Sequence, residues 1–146
     1  MMHFGWGSEW RMKKTAAGKK KTGRILVVED NTDSRDILAK LLRMCGYEVN
    51  SASDGESGYE AALRQVPDLI ITDINMPVMD GIELLKKVRN EGLLAKTAVL
   101  VVTAFGDEAA REAIEAGADA SAAKPFDFDG FIDTVESLLF RHHVSA

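Results

Sequence analysis

Asp68-Leu69-Ile70-Ile71-Thr72-Asp73-Ile74-Asn75-Met76-Pro77 is the stretch on which the reading of the fold turns. Leu69, Ile70 and Ile71 are apolar without a break. Alternation would mark a strand with one wet face; a continuous run marks a strand covered on both faces, as in a parallel sheet. A strand is therefore expected over Asp68–Thr72. Asp73 stands where the apolar run stops, and Pro77 and Gly81 open a loop behind it.

The segments on either side repeat this arrangement. Upstream, Ile25–Val28 is a short β-branched run that ends in Glu29-Asp30. Asn31 or Asp33 can cap a helix whose inward residues are Ile37, Leu38, Leu41, Leu42 and Cys45, with Gly46 as its stop. Tyr47–Ala52 is a weaker strand. Asp54-Gly55 turns into a helix over Glu56–Gln65, with Tyr59, Ala62 and Leu63 inward, closed ahead of Pro67. Downstream, Ile82, Leu85 and Val88 mark a third helix, and Thr97–Val102 is the most apolar strand. A helix over Asp107–Ala116 turns Ala109, Ala110, Ala113 and Ile114 inward and ends at Gly117. A weak strand over Ala118–Ala123 follows, then a helix marked by Phe128, Phe131, Ile132, Val135, Leu138 and Leu139. Strand and helix alternate through the chain, which implies an α/β, doubly wound parallel sheet with helices on both faces and right-handed crossovers.

Composition excludes several classes. Hydrophobic residues make up 46% and charged residues 28% of 146, an ordinary globular balance. No apolar run is long enough to span a bilayer. The single cysteine, Cys45, rules out a disulfide scaffold and a multi-cysteine metal centre, and suits a cytoplasmic setting. Charge is uneven. Residues 1–23 hold six basic residues and one acid, Glu9, so this segment is +5; with −5 on the whole chain, residues 24–146 carry −10. An acidic body disfavours nucleic-acid binding. Residues 1–23 lack periodicity, carry Trp6 and Trp10, and read as a flexible basic leader, with a weak anchor for an acidic partner or membrane surface as the sharper alternative. Met12 is a second candidate start. Residues 24–141 form the expected domain, and 142–146, with His142 and His143, a short solvated tail.

Polar residues gather where strands end. Glu29 and Asp30 follow the first strand, Asp73 the third, Thr103 the fourth and Lys124 the fifth. In open α/β sheets the carboxyl edge holds the ligand crevice. Three carboxylates there repel one another unless a cation joins them. Oxygen ligands without histidine or cysteine suit Mg²⁺ rather than zinc or copper. An anion between Mg²⁺ and the Lys124 ammonium is best a phosphoryl group, with a hydrogen bond from Thr103. Asp73 is the leading acceptor for an acyl phosphate, and the loop behind it can aim the backbone carbonyl of Asn75 at the metal.

These motifs, in order, resemble the receiver domain of two-component response regulators: Val27-Val28-Glu29-Asp30-Asn31, Asp68 through Pro77, Met79-Asp80-Gly81, Thr103-Ala104-Phe105-Gly106, Gly117-Ala118-Asp119 and Lys124-Pro125-Phe126. The resemblance covers about Arg24–Arg141. It implies a flavodoxin-like fold with five strands in the order 2-1-3-4-5. It also implies that Asp73 takes phosphate from a histidine kinase or histidine phosphotransfer protein, with Glu29 (through water) and Asp30 on Mg²⁺. Thr103 matches the switch hydroxyl, Lys124 the site lysine, and Lys124-Pro125 a bond usually cis in the family. The chain departs from the pattern at Ser121, where the family often has an aromatic that turns inward. The expected switch is therefore backbone-led: Thr103 moves, Ala104-Phe105-Gly106 follow, and the alanine-faced helix shifts.

The function that follows is a stand-alone receiver that signals by phosphorylation-dependent contact with a downstream protein, since only seven residues follow Leu139. Homodimerisation on phosphorylation is one form such contact can take. It is no enzyme beyond its own phosphoryl transfer and dephosphorylation. The rival is a small Mg²⁺-dependent phosphohydrolase working through an aspartyl phosphate. Haloacid-dehalogenase enzymes place a second acid two residues after the nucleophile; here that residue is Asn75. A flavodoxin-type electron carrier is disfavoured by Glu-Asp-Asn where a phosphate loop should follow the first strand.

Overall fold

The computed structural model describes residues 23–104, 106–124 and 127–145. The leader over residues 1–22, Phe105 and the Pro125-Phe126 pair lie outside the described residues, and with them the readings made there of a flexible leader, a cis bond and the part of Phe105 in the switch. The strands are β1 (Arg24–Val28), β2 (Glu48–Ala52), β3 (Leu69–Asp73), β4 (Ala98–Thr103) and β5 (Ala120–Ala123). The helices are α1 (Thr32–Met44), α2 (Gly55–Arg64), α3 (Gly81–Asn90), α4 (Gly106–Glu115) and α5 (Phe128–Ser145). All strand pairs are parallel, in the order β2-β1-β3-β4-β5. The alternation of strand and helix segments translates directly into this topology.

Strand alternation divides the core in two. Ile25, Val27, Leu69, Ile71, Leu100 and Val102 face α1 and α5, where they meet Leu42, Phe131, Ile132 and Val135. Leu26, Val28, Ile70, Val99 and Val101 face the other way, onto Ala62, Leu85, Val88 and Ala113 of α2 to α4. Burial on both faces explains why β1, β3 and β4 are apolar without interruption. α2 rides close to the sheet because Gly58 has no side chain. A Cβ there would stand 2.8 Å from Val28 Cγ2.

The amino edge of the sheet is tied down by one arginine. Arg89 donates from Nε to Gly117 O (3.0 Å), from Nη1 to Thr97 O (2.8 Å) and from Nη2 to Asp119 Oδ2 (2.8 Å). Asp119 Oδ2 also accepts the Val99 amide at 2.8 Å. These bonds join α3, β4 and the loop before β5 at the end of the sheet away from the polar cluster.

Several packing expectations need correction. Ile37, read as inward, is 59% exposed, because α1 starts beyond the end of β1 and its first turns overhang the carboxyl edge. The inward stripe of α2 is Gly55, Gly58 and Ala62, which leaves Leu63 exposed. Ile114 is exposed as well; Ala113 carries the burial of α4, with Ala109 packed beside it, and Ile114 sits about 100° round the helix from Ala113. α5 runs to Ser145, through residues read as a tail, because no glycine or proline between Leu139 and Ser145 stops it. Gly23, read as the last leader residue, is docked: its carbonyl accepts from Glu48 N at 3.1 Å, and a Cβ there would meet Leu139 Cδ1 at 3.0 Å.

Two local features carry predictions. Asp54 caps α2, accepting the Ser57 amide at 2.8 Å and the Ser57 hydroxyl at 2.7 Å. These bonds hold its carboxyl below the ordinary aspartate range. Asp54→Ala is expected to cost about 1 kcal/mol in urea unfolding at neutral pH. A depressed folded pKa gives stability that is present above the unfolded value and lost as pH falls through the folded one. The gap between wild type and Asp54→Ala should therefore shrink in acid. A gap constant with pH would contradict the cap.

The second feature is Val78, a β-branched residue at φ 70°. The Met79 amide bonds back to Pro77 O at 2.8 Å across it, which makes a γ-turn with a left-handed apex. Val78 is 79% exposed, so no burial offsets the strain. Val78→Gly is expected to stabilise the fold by about 1 kcal/mol, the relieved strain exceeding the entropy glycine adds to the unfolded chain. A calorimetric melt that shows no gain would put the strain in doubt.

Candidate functional site

Register brings the predicted residues together. Val28 pairs with Thr72 and Asp73 pairs with Val102, so Glu29 follows β1 beside Asp73. Thr103 pairs with Ala123, the residue before Lys124, and the Lys124 amide bonds to Thr103 O at 2.9 Å. Asp73 and Thr103 are the last residues of their strands rather than the first residues after them.

Glu29, Asp30 and Asp73 each place a carboxylate oxygen within 4.8 Å of the others. Lys124 Nζ donates to Glu29 Oε1 at 3.0 Å and to Asp73 Oδ2 at 3.1 Å. Glu29 is buried, Asp30 exposed, and Asp73 and Lys124 half-buried. Burial pushes the Glu29 carboxyl up, and the neighbouring Asp73 charge adds to this. The Asn31 amide on Oε2 (3.1 Å) and the Lys124 ammonium oppose it. Burial disfavours the Lys124 charge, yet its hydrogen bonds to the Glu29 and Asp73 carboxylates outweigh it and hold the ammonium above the usual lysine range. The lysine is thus a fixed cation.

Thr103 is buried, and by alternation it shares the face of Val99 and Val101 rather than that of Asp73. Asn75 is exposed two residues beyond Asp73, in a shallow polar hollow with Asp80, Lys86 and Glu112. Ser121 is exposed and pairs with Val101.

Three features escaped the sequence reading. Arg35 Nη1 bonds to the Glu29 carbonyl at 2.9 Å, fixing the acidic turn to α1. Gly81 lets α3 start against the acceptor: a Cβ there would collide with the Asp73 carbonyl, and the Gly81 amide bonds to Ile74 O at 2.8 Å. A cavity of about 520 Å³ opens beside Asp73 and Lys124, between the sheet and α1 and α5; Val27, Leu38, Leu41, Val102 and Phe128 line it. Exposed Ile37 also lines it. Its signal was present in the sequence as Ile37, Leu38 and Leu41, but their spacing alone does not separate a core stripe from a rim.

Comparison with known proteins agrees with this geometry. The family model described as the response regulator receiver domain matches residues 25–136. The probable chemotaxis protein CheY of Rhizobium etli is 37% identical over 117 residues, covering 79% of this chain and 91% of that protein. The DNA-binding dual master transcriptional regulator RpaA of Synechocystis is 34% identical over 119 residues, covering 81% of this chain but 49% of that protein. Among solved structures, a response regulator from Chloroflexus aurantiacus matches with a TM-score of 0.78 at 35% identity, covering 82% of this chain and 98% of that one. CheY4 of Vibrio cholerae matches with 0.76 at 32% identity, covering 81% and 99%. The chain belongs to the receiver domain family of response regulators, with the CheY-like fold. The family is one of signalling proteins of two-component systems. The chain spans about half the length of that transcriptional regulator. No helix among the described residues is long and apolar enough to cross a membrane.

Proposed function

We propose that this chain is a phosphorylation-controlled interaction module that accepts a phosphoryl group on Asp73 and signals by protein contact. The observation that carries the reading is the bridging of Lys124 Nζ to both Glu29 and Asp73 beside Asp30. One ammonium and three carboxylates form a socket for a divalent metal and a dense anion together.

The residues fit Mg²⁺. The donor set is all oxygen, and its three carboxylate oxygens lie within 4.8 Å of one another, which would suit a small hard cation. Asp30 and Asp73 would hold the ion directly, Glu29 through water, and the Asn75 carbonyl would complete the protein's share. Bound there, the metal would neutralise charge on the transferring group. An Asp73 carboxylate oxygen attacks phosphorus, a new O–P bond forms, and the N–P bond to the donor histidine breaks. Lys124 then exchanges a carboxylate partner for a phosphoryl oxygen, and Thr103 supplies a hydroxyl to another. Hydrolysis of the acyl phosphate at the same site resets the module, the only catalysis assigned to it.

The partners are a sensor histidine kinase or histidine phosphotransfer protein as donor and a protein target downstream, in the cytoplasm. Residues 24–141 are the working unit. The readout is a backbone-led shift of α4, since Ala113 and Ala109 hold that helix and little burial is forfeited when it moves. The phosphohydrolase reading has no observation in its favour: no carboxylate stands at position 75.

The test is intact-mass measurement after incubation with acetyl phosphate and Mg²⁺. One added phosphoryl group is expected, and none when EDTA replaces the metal. Failure to load under any Mg²⁺ concentration would overturn the reading.

A further inference from the structure

We propose that Arg35 is a positioning residue for the Asp30 carboxylate, holding it in the pose that ligates a divalent cation. The positioning stands on the geometry of the turn into α1; only its effect on Mg²⁺ affinity rests on the function proposed above.

The three carboxylates of the cluster are not held alike. Lys124 Nζ fixes Glu29 through Oε1 at 3.0 Å and Asp73 through Oδ2 at 3.1 Å. The Asn31 amide holds the other Glu29 oxygen at 3.1 Å. Asp30 is exposed, and no hydrogen bond among the described residues holds its carboxylate. One of its oxygens nonetheless lies within 4.8 Å of an oxygen of each of the other two. Like charges at that spacing repel, so an exposed side chain on a loose backbone would swing away. The direction of Asp30 is set by the backbone that carries it.

Arg35 holds that backbone. Its Nη1 donates to the Glu29 carbonyl at 2.9 Å. This carbonyl belongs to the Glu29–Asp30 peptide, whose six atoms lie in one plane. A guanidinium on its oxygen therefore fixes the amide and Cα of Asp30 as well. The peptides on either side have other anchors. The Glu29 amide donates to Ala52 O at 3.1 Å, which ties the end of β1 to β2. Asn31 caps α1: its Oδ1 accepts the Ser34 amide at 2.9 Å, and its carbonyl accepts the Arg35 amide at 2.9 Å. Arg35 is thus braced by the helix it reaches from, and it grips the peptide that the sheet and the cap leave between them.

Charge alone acts in the opposite sense. A guanidinium near the cluster repels a metal cation. Acting only by its charge, Arg35 would weaken Mg²⁺ binding, and its removal would tighten it. Acting by position, its removal weakens binding. The sign of the change separates the two. Arg43 is a matched control: on the same helix, its Nη2 donates to the Val49 carbonyl at 2.9 Å, about 12 Å further along α1.

The first measurement is Mg²⁺ titration followed by the Asp73 and Asn31 amide shifts. Arg35→Ala is expected to weaken affinity several-fold, and Arg43→Ala to leave it unchanged. In an Asp30→Ala background, Arg35→Ala should cause no further loss, because the two act through one ligand. Affinity equal to or above wild type in Arg35→Ala overturns the proposal. So does a full Arg35→Ala loss with Asp30 already removed. The second measurement uses the metal-free chain in EDTA. By ¹⁵N relaxation the Asp30 amide is expected to have an order parameter near about 0.85 in wild type and below about 0.6 in Arg35→Ala, with Ala39 and Leu42 unchanged. A rigid Asp30 in Arg35→Ala overturns the proposal whether or not metal binds, and loss of order throughout α1 overturns it in favour of a general helix defect. A chain whose Asp30 loosens as expected, but whose wild type shows no Mg²⁺ shifts, refutes the proposed function and leaves the positioning intact.

Discussion

Asp73→Asn is expected to take up no phosphoryl group from acetyl phosphate, while remaining folded. The amide oxygen keeps the acceptor position for Lys124 Nζ, now 3.1 Å from Asp73 Oδ2, so the local hydrogen bond survives. What disappears is the anionic nucleophile, because an amide has no negative oxygen to form the acyl phosphate. Intact mass and a thermal melt, taken together, separate these effects. A full phosphoryl gain on Asp73→Asn would move the acceptor elsewhere, with Glu29 and Asp30 the other carboxylates of the cluster.

Asp30→Ala is expected to weaken Mg²⁺ binding by at least about tenfold, since even an outer-shell partner of a metal is worth that much. Asp30 is the exposed member of the cluster, so its removal leaves no cavity. It also removes repulsion, so the metal-free variant should be no less stable than wild type. Acid should mimic part of the loss. The buried Glu29 carboxyl titrates above the ordinary glutamate range, so protons compete for this site before exposed carboxylates respond. Mg²⁺ affinity is therefore expected to fall as pH is lowered from neutrality. NMR shifts of the Asp73 and Asp30 amides during Mg²⁺ titration would measure both effects. Equal affinity in Asp30→Ala and wild type would remove Asp30 from the ligand set.

The sheet was legible because burial on both faces writes itself as uninterrupted apolar runs such as Leu69-Ile70-Ile71 and Val99 through Val102. The polar cluster was legible because those runs stop abruptly at Glu29 and Asp73. Helix faces were harder. The 3.6-residue period places Ile37 with Leu41 and Ile114 with Ala110, but it does not say whether a neighbouring element lies opposite. Ile37 overhangs the sheet edge and Ile114 faces outward, so both are exposed. The bond from Arg35 to the Glu29 carbonyl was out of reach for a different reason. It depends on the angle at which α1 leaves the edge, and residue types alone do not encode it. The left-handed turn at Val78 was hidden because valine is a residue no turn rule places there.

Asp73 and Thr103 end neighbouring strands with opposite parity: Asp73 continues the row of Ile71, which faces α1 and α5, and Thr103 the row of Val101, which faces α2 to α4. The sheet is thus a partition with an entrance on one side and an exit on the other. A donor reaching Asp73 from the α1 side and a target gripping α4 need not compete for the same ground. On the proposed function both could occupy the molecule at once, and the module would be charged while already held by the protein it instructs. Its response would then be timed by chemistry at the edge of the sheet and not by the wait for one guest to leave before the next arrives.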